Sequence, residues 1–555
     1  MRSPGATRGS WGSRAMAAST SSVAPSSRRS TSSSPPGGPS TRSATDRGAA
    51  GPSPRPRARR GSCGRRRSGV HPHQLEQEAA AEPPGAGPCG LAARTRARVA
   101  PRQRCAPRAA HGRTGRAVSD SGRVPMRHPQ TLRVAWGVGL IGIVVAVLAL
   151  APHLGAAPPS GAPAELKLGF VDFLSGPAAT FGTPGKNTAE WLVEKWNREG
   201  GIRGVKVKLV VVDESGGPDK QVTEFRRLAL DEKVHAVVGY TSSANCLAVA
   251  PVAEELRVLT VIHVCGTRRL TEERQLKYVF RTSNTQTADS VMAARYILAM
   301  KPDVKTIAGA NEDYAWGRDS WDDFKAAMLR LKPDVKVVAE LWTKIQAGEY
   351  SAEISRLLAA QPDVVHSSFW GGGLITFVKQ AAPRGLFKTR LVYLSTGEQV
   401  LQDVRKEMPD GVIVAPRATP GYFLHPDPAT NRLQKEYVEG MKSRYGRYPD
   451  YPAYRTYNAL AGLRAAYERA IDQGGGKWPT TEEVIKAFVG LTWEGPLGKL
   501  TMREDHQAIH GAIIGLTKFN PQFGFATMER IRELKPEEIM PPVGMKSPDW
   551  IATLK

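Results

Sequence analysis

The stretch from Val234 to Thr271, VHAVVGYTSSANCLAVAPVAEELRVLTVIHVCGTRRLT, leaves the chain few folds to choose from. Val234 to Gly239 is a short apolar run closed by a glycine. Leu247 to Leu256 then places Val249, Val252, Ala253 and Leu256 at helical spacing, and Leu259 to Val264 is apolar again. Strand, helix and strand in that order make a parallel βαβ unit, whose two strands end on the same edge of the sheet. The loops Tyr240 to Asn245 and Cys265 to Arg269 therefore lie side by side, at the edge where open α/β sheets bind ligands. Both loops are rich in small hydroxyls: Thr241, Ser242, Ser243 and Thr267. The first runs into a helix N-terminus, whose free N–H groups favour an anion such as a carboxylate. The same residues also suit a local role, with Ser243 capping the helix and Thr267 a turn. On these residues alone both readings stay open.

The alternation extends in both directions. Glu165 to Phe173 reads as a first strand, and a helix from Asn187 carries Ala189, Leu192, Val193 and Trp196 at helical spacing before Gly200-Gly201 ends it. Val205 to Val212 is a second strand, and Pro218 opens the next helix. Further on, Pro-Asp-Val recurs at Pro302, Pro333 and Pro362, each time after a helix and before a strand. Steps of 31 and 29 residues match one βα unit. Strands follow at Val364 to His366, Arg390 to Leu394 and Gly411 to Val414. Asp427 to Tyr445, Tyr454 to Gln473 and Thr480 to Val489 read as helices with little strand between them, and Gly511 to Phe519 with Phe525 to Glu533 reads as a closing hairpin. The expected class is α/β, with two lobes that exchange segments.

The charge is unevenly spread. Residues 1–125 hold 23 Arg, no Lys and five acids, a net +18 of the chain's +25. They contain no Ile, Phe, Tyr or Asn and are dense in Ser, Pro, Gly and Arg, so they cannot build a core. That composition is expected of a disordered leader and of a misassigned N-terminal extension, which removes the nucleic-acid role its arginines would otherwise suggest. Met126 opens an ordinary export signal over 126–157: Arg127 and Arg133, then the apolar Val134 to Leu150, then Gly155, Ala156 and Ala157. Its apolar run also has the minimum length for an uncleaved anchor. Three of the five cysteines fall in the leader. Cys246 and Cys265 remain, on one sheet edge, either bridged in an oxidising compartment or as free thiols.

Catalytic signals are missing where they would be expected. Gly185-Lys186-Asn187-Thr188 resembles the end of a phosphate loop, but Thr180 replaces the first glycine and Asn187 the magnesium-binding hydroxyl. His506 and His510 lie in a loop leading into a strand, not on one face of a helix. No enzyme activity, cofactor or metal is expected.

Several segments in order then match one family. LSGPAATFG after the first strand, NREGGIRG before the second, AVVGYTSSANCLAVAPVAEELRVLTV, FRTSNT and ANEDYAWGRDSWDDF resemble the branched-chain amino-acid (Leu/Ile/Val-binding) type of periplasmic substrate-binding protein of ABC transporters, over Glu165 to about Glu533. The resemblance implies a type I periplasmic binding protein fold of two Rossmann-like lobes joined by three crossovers near Arg281–Asn284, Ala415–Thr419 and Leu500–Asp505. After a linker at 158–164, lobe 1 would take 165–283 plus 416–502 and lobe 2 would take 284–415 plus 503–540, with 541–555 a tail. It implies a monomer that carries a small amino acid, amide or short carboxylate to an ABC permease in the periplasm; a ligand-sensing receptor domain of the same fold is the alternative.

By the same resemblance, Ser242, Ser243 and Thr267 would hold the ligand carboxylate. Tyr314, Trp316 and Phe369 or Trp370 would supply the aromatic side of the cleft, with Tyr240 and Phe181 as further candidates. The family's ammonium-binding acid falls at Thr396, a departure, so either Glu398 reaches in or the ligand carries no ammonium.

Overall fold

Two sheets, each with a five-stranded parallel part wound in the same order, organise the protein, and the cleft between their C-terminal edges holds the site. The computed structural model describes residues 158–417, 422–424 and 432–555. The basic leader, the signal segment and the part of the second crossing around Thr419 lie outside the described residues.

Lobe 1 begins with β1 (Glu165–Asp172), α1 (Ala179–Arg198), β2 (Lys206–Asp213), α2 (Gly217–Leu230), β3 (Ala236–Gly239), α3 (Ser243–Leu256), β4 (Leu259–Ile262) and β5 (Val279–Arg281). Its five strands lie in the order β2-β1-β3-β4-β5, all parallel. The central strands AVVG and LTVI are wholly buried, because helices cover both faces of a parallel sheet. The edge strand β2 instead leaves Lys206 and Lys208 exposed, a charge pattern that discourages pairing with another chain. Helix α3 starts four residues earlier than its apolar spacing predicts. Its first turn, Ser-Ala-Asn-Cys, buries mostly small and polar side chains, so it carries no hydrophobic period.

Lobe 2 repeats the winding with α4 (Gln286–Met300), β6 (Thr306–Glu312), α5 (Ala315–Leu331), β7 (Lys336–Thr343), α6 (Ser351–Ala360), β8 (Val364–Ser367), α7 (Gly371–Ala381), β9 (Leu391–Leu394) and β10 (Ile413–Val414). The chain then returns to lobe 1 for α8 (Arg432–Tyr445), α9 (Tyr451–Gln473), α10 (Thr481–Phe488), β11 (Thr492–Gly495), β12 (Gly498–Met502) and β13 (Ala508–Ile509). It ends with β14 (Ala512–Asn520) and β15 (Phe525–Leu534), an antiparallel hairpin that extends the second sheet to β15-β14-β10-β9-β8-β6-β7.

Three features differ from the sequence expectation. The β11-β12-β13 sheet lies between the last helix and the closing hairpin, where the sequence was given no strand. The third crossing falls at His510–Gly511, not at Leu500–Asp505. The reason is that 503–507 stays fastened to β5: His506 stacks on Phe280 at 3.9 Å, and Arg281 Nε donates to Gln507 Oε1 at 2.5 Å. Finally, 541–555 is not a loose tail. Trp550, Ile551 and Leu554 bury themselves with α4 and α5 in the lobe 2 core.

Candidate functional site

Glycines in α1 bring its first turn onto the end of β1. A Cβ at Gly182 would stand 2.1 Å from the Phe173 carbonyl oxygen, so no larger residue lets the helix approach this closely. That approach sets Phe181 at the mouth of the cleft. Opposite it, the loops after β6 and β8 deliver Tyr314, Trp316 and Trp370, and the turn after β9 delivers Thr396. Thr241, Val264 and Gly266 complete the lobe 1 wall from the ends of β3 and β4. Tyr451 enters at the start of α9, and Arg417 from the second crossing. The lobes are closed on one another, and the cavity left between them is only about 10 Å³, the size at which a single water fits.

The wall is a box of rings. Phe181 meets Trp370 and Tyr451 edge-on, each at 5.3 Å, and Trp316 Nε1 donates to the Ser368 carbonyl at 2.9 Å, which fixes the indole. The Arg417 guanidinium lies 3.9 Å above the Trp316 ring. Its Nε donates to Asp289 Oδ2 at 2.6 Å, while Nη2 is buried without a partner. None of the described residues lining the cavity is acidic. Behind the wall, Glu312 accepts from the Gln346 backbone N–H at 2.8 Å, and burial pushes its carboxyl up to about 8.

The hydroxyls expected to anchor a carboxylate are placed differently from one another. Ser242, rather than Ser243, caps α3 through the backbone N–H groups of Ala244 and Asn245. The helix N-terminus beyond it already holds a carboxyl group of the protein. Glu214 accepts from the N–H groups of Thr241 and Ser242, each at 2.7 Å, and from Asn245 Nδ2 at 3.1 Å. Burial, and then Asp172 nearby, pushes Glu214 well above the ordinary carboxylate range. Ser243 is buried and is not among the residues that line the cavity. Thr267 donates to Asp319 Oδ2 at 2.6 Å, a bond from lobe 1 to lobe 2. Cys246 and Cys265 are joined by a disulfide across the same edge.

Of the other expected residues, Tyr314, Trp316, Trp370 and Thr396 share the cavity wall, and Phe181 with them. Thr396 donates its hydroxyl proton to the Phe369 carbonyl at 2.6 Å. Phe369 itself packs behind the wall on Tyr350 and Phe377, and Tyr240 is buried in the lobe 1 core. Glu398 turns away from the cavity and accepts the Tyr451 N–H at 3.0 Å, tying lobe 2 to the start of α9. Burial, and then Asp450 beside it, pushes its carboxyl upward from 4.5.

A carboxyl whose proton is held more tightly in the folded state than in the unfolded chain loses its stabilising effect as pH rises through the folded value. Melting temperature should therefore fall between about pH 4.5, where the carboxyl titrates in the unfolded chain, and about pH 8, where it titrates in the fold, and Glu398→Gln should flatten that slope. An unchanged slope in a melting series would refute the assignment.

Arg417 and Tyr451 carried no motif. The available signals were Asp450-Tyr451-Pro452, a helix-start pattern that puts Tyr451 at the sheet edge, and an arginine next to Pro416 in a crossing segment.

Comparison with known proteins agrees with this architecture. A family model described as periplasmic binding protein matches residues 165–518. The Leu/Ile/Val-binding protein homolog 3 of Brucella melitensis is 28% identical over 351 residues, 62% of this chain and 89% of the relative. The Leu/Ile/Val-binding protein BraC3 of Rhizobium johnstonii is 32% identical over 227 residues, 41% of this chain and 58% of that relative's length. Among solved structures, a solute-binding protein of an ABC transporter from Rhodopseudomonas palustris BisB5, in complex with 3,4-dihydroxybenzoic acid, superposes with a TM-score of 0.60 at 23% identity. That superposition covers 67% of this chain and 98% of the other. With its two like-wound lobes, the chain has the type I periplasmic binding fold and belongs to the periplasmic binding protein family, in its branched-chain amino-acid type.

Proposed function

We propose that this protein captures a small, flat carboxylate without an ammonium group in the periplasm and delivers it to an ABC importer by closure of its two lobes. The observation that carries this reading is the composition of the cavity wall: five aromatic rings and one arginine, with no acid among its described residues. An amino acid brings an ammonium that must meet a negative charge or lose several kcal/mol of hydration. Thr396 offers no charge, Glu398 is spent on Tyr451, and the raised pKa of Glu312 favours its neutral form at pH 7. The Rhodopseudomonas structure, solved with an aromatic acid, supports the same ligand class. Enclosure serves capture and release rather than turnover, since the wall presents no nucleophile paired with a base.

The closed cavity is too small for a ring, so binding proceeds from the parted lobes and the rings settle around the ligand. Calorimetry of the purified protein against benzoate, short carboxylates, amides and leucine tests the reading; saturable binding of leucine with no binding of carboxylates would refute it. Thr396→Glu should shift the preference from benzoate towards leucine by about tenfold or more, because a charge-assisted bond to the ammonium contributes about 1.5–3 kcal/mol. Equal selectivity in the variant would show that this position does not face the ligand.

A further inference from the structure

We infer that Arg417, on the second crossing between the lobes, is the receptor for the ligand's carboxylate, in place of the N-terminus of α3. The inference rests on the reading of the cavity as a solute site and specifies how that site recognises charge.

Two independent observations meet here. The first is that the helix N-terminus is taken. Both oxygens of Glu214 accept N–H groups of the Thr241–Ser242 turn, and Thr241 Oγ1 is spent on Asp172 Oδ1 at 2.8 Å. A ligand carboxylate placed there would face a carboxyl group and find its donors used.

The second is the state of Arg417. The residue is 2% exposed and lines the cavity, and its Nη2 is buried with no hydrogen-bond partner. A buried guanidinium N–H without an acceptor is costly, and a carboxylate is the acceptor that matches its geometry. Asp289 Oδ2 takes Nε, and the Trp316 face supports the guanidinium plane. Gly266 lets Nη2 reach its position, because a Cβ there would stand 2.5 Å from it. Arg455 braces the segment by donating to the carbonyl oxygens of Val264 and Arg417, each at 2.7 Å.

The test uses the full protein and compares benzoate with benzamide, which keeps the ring and removes the charge. The unmodified protein should prefer benzoate by about a hundredfold, the worth of charge-assisted bonds to a buried guanidinium. Arg417→Lys keeps the charge but not the planar fork, and should lose about tenfold for benzoate. Arg417→Gln leaves Asp289 unpaired, so the paired variant Arg417→Gln with Asp289→Asn is measured beside it; that protein should bind the two ligands with affinities within about threefold of each other. A benzoate preference that survives in the paired variant overturns the role of Arg417 and leaves the solute-binding reading standing. Failure of the unmodified protein to bind any carboxylate overturns that reading and, with it, this one.

Discussion

Asp289→Ala should lower the stability of the folded protein by about 3–5 kcal/mol, the usual result of removing one partner from a buried ion pair. Its carboxylate and Arg417 are both almost fully enclosed, with side-chain exposures of 1% and 3%. Arg455 lies close enough to feel the same charge. Deleting the acid leaves two guanidinium groups in a low-dielectric interior with no compensating charge. The damage should spread beyond the pair, because Asp289 sits in the first turn of α4, just after the first crossing, and Arg417 sits on the second. Together they tie two of the three connections between the lobes. Denaturant unfolding followed by tryptophan fluorescence measures the effect. The variant that also carries Arg417→Gln should recover part of the loss, since one of the two uncompensated guanidinium groups is then gone and only Arg455 remains. A single variant as stable as the unmodified protein would show that the pair is hydrated in solution.

Reduction of the Cys246–Cys265 disulfide should remove about 3 kcal/mol in the chain-entropy account of a loop of this length, the two residues being 19 apart in sequence. The bond joins the first turn of α3 to the segment after β4, and both residues are wholly buried in the lobe 1 core. It therefore holds together the edge that carries Thr241, Val264 and Gly266. Comparison of melting curves with and without a reductant checks the prediction, and it keeps both side chains in place, unlike alanine substitution. Equal melting curves, with two thiols titrating in the unreduced protein, would remove the disulfide from the account.

Much of the scaffold was legible from local pattern. Apolar runs such as AVVG and LTVI, separated by a helix-length amphipathic segment, can only stack as parallel strands, and the Pro-Asp-Val spacing marked successive βα units of lobe 2. The family resemblance, not local pattern, assigned Tyr314, Trp316, Trp370 and Thr396 to the cleft, and these four line one cavity in the structure. The weaker points were those where local pattern carries no information. The β11-β12-β13 sheet consists of strands of two to five residues, too short to show a period. The third crossing moved because a ring stacked on a ring, Phe280 on His506, across more than two hundred residues of sequence.

The sequence by itself determined the two α/β lobes, which follow from residue type and from spacing along the chain, and its resemblance to a family implied the rings at the cleft and the lack of an acid at Thr396. Only the tertiary structure decided which polar groups remain available to a ligand. Ser242, Ser243 and Thr267 look free in sequence, but Glu214 fills the N-terminus of α3 and Asp319 takes the Thr267 hydroxyl. Arg417 looks like one arginine among many, yet burial and the choice of Asp289 as partner for its Nε leave Nη2 without an acceptor. Hydrogen bonds and charges are satisfied in space, by groups that folding brings from distant positions, so which of them remain unsatisfied cannot be read along the chain.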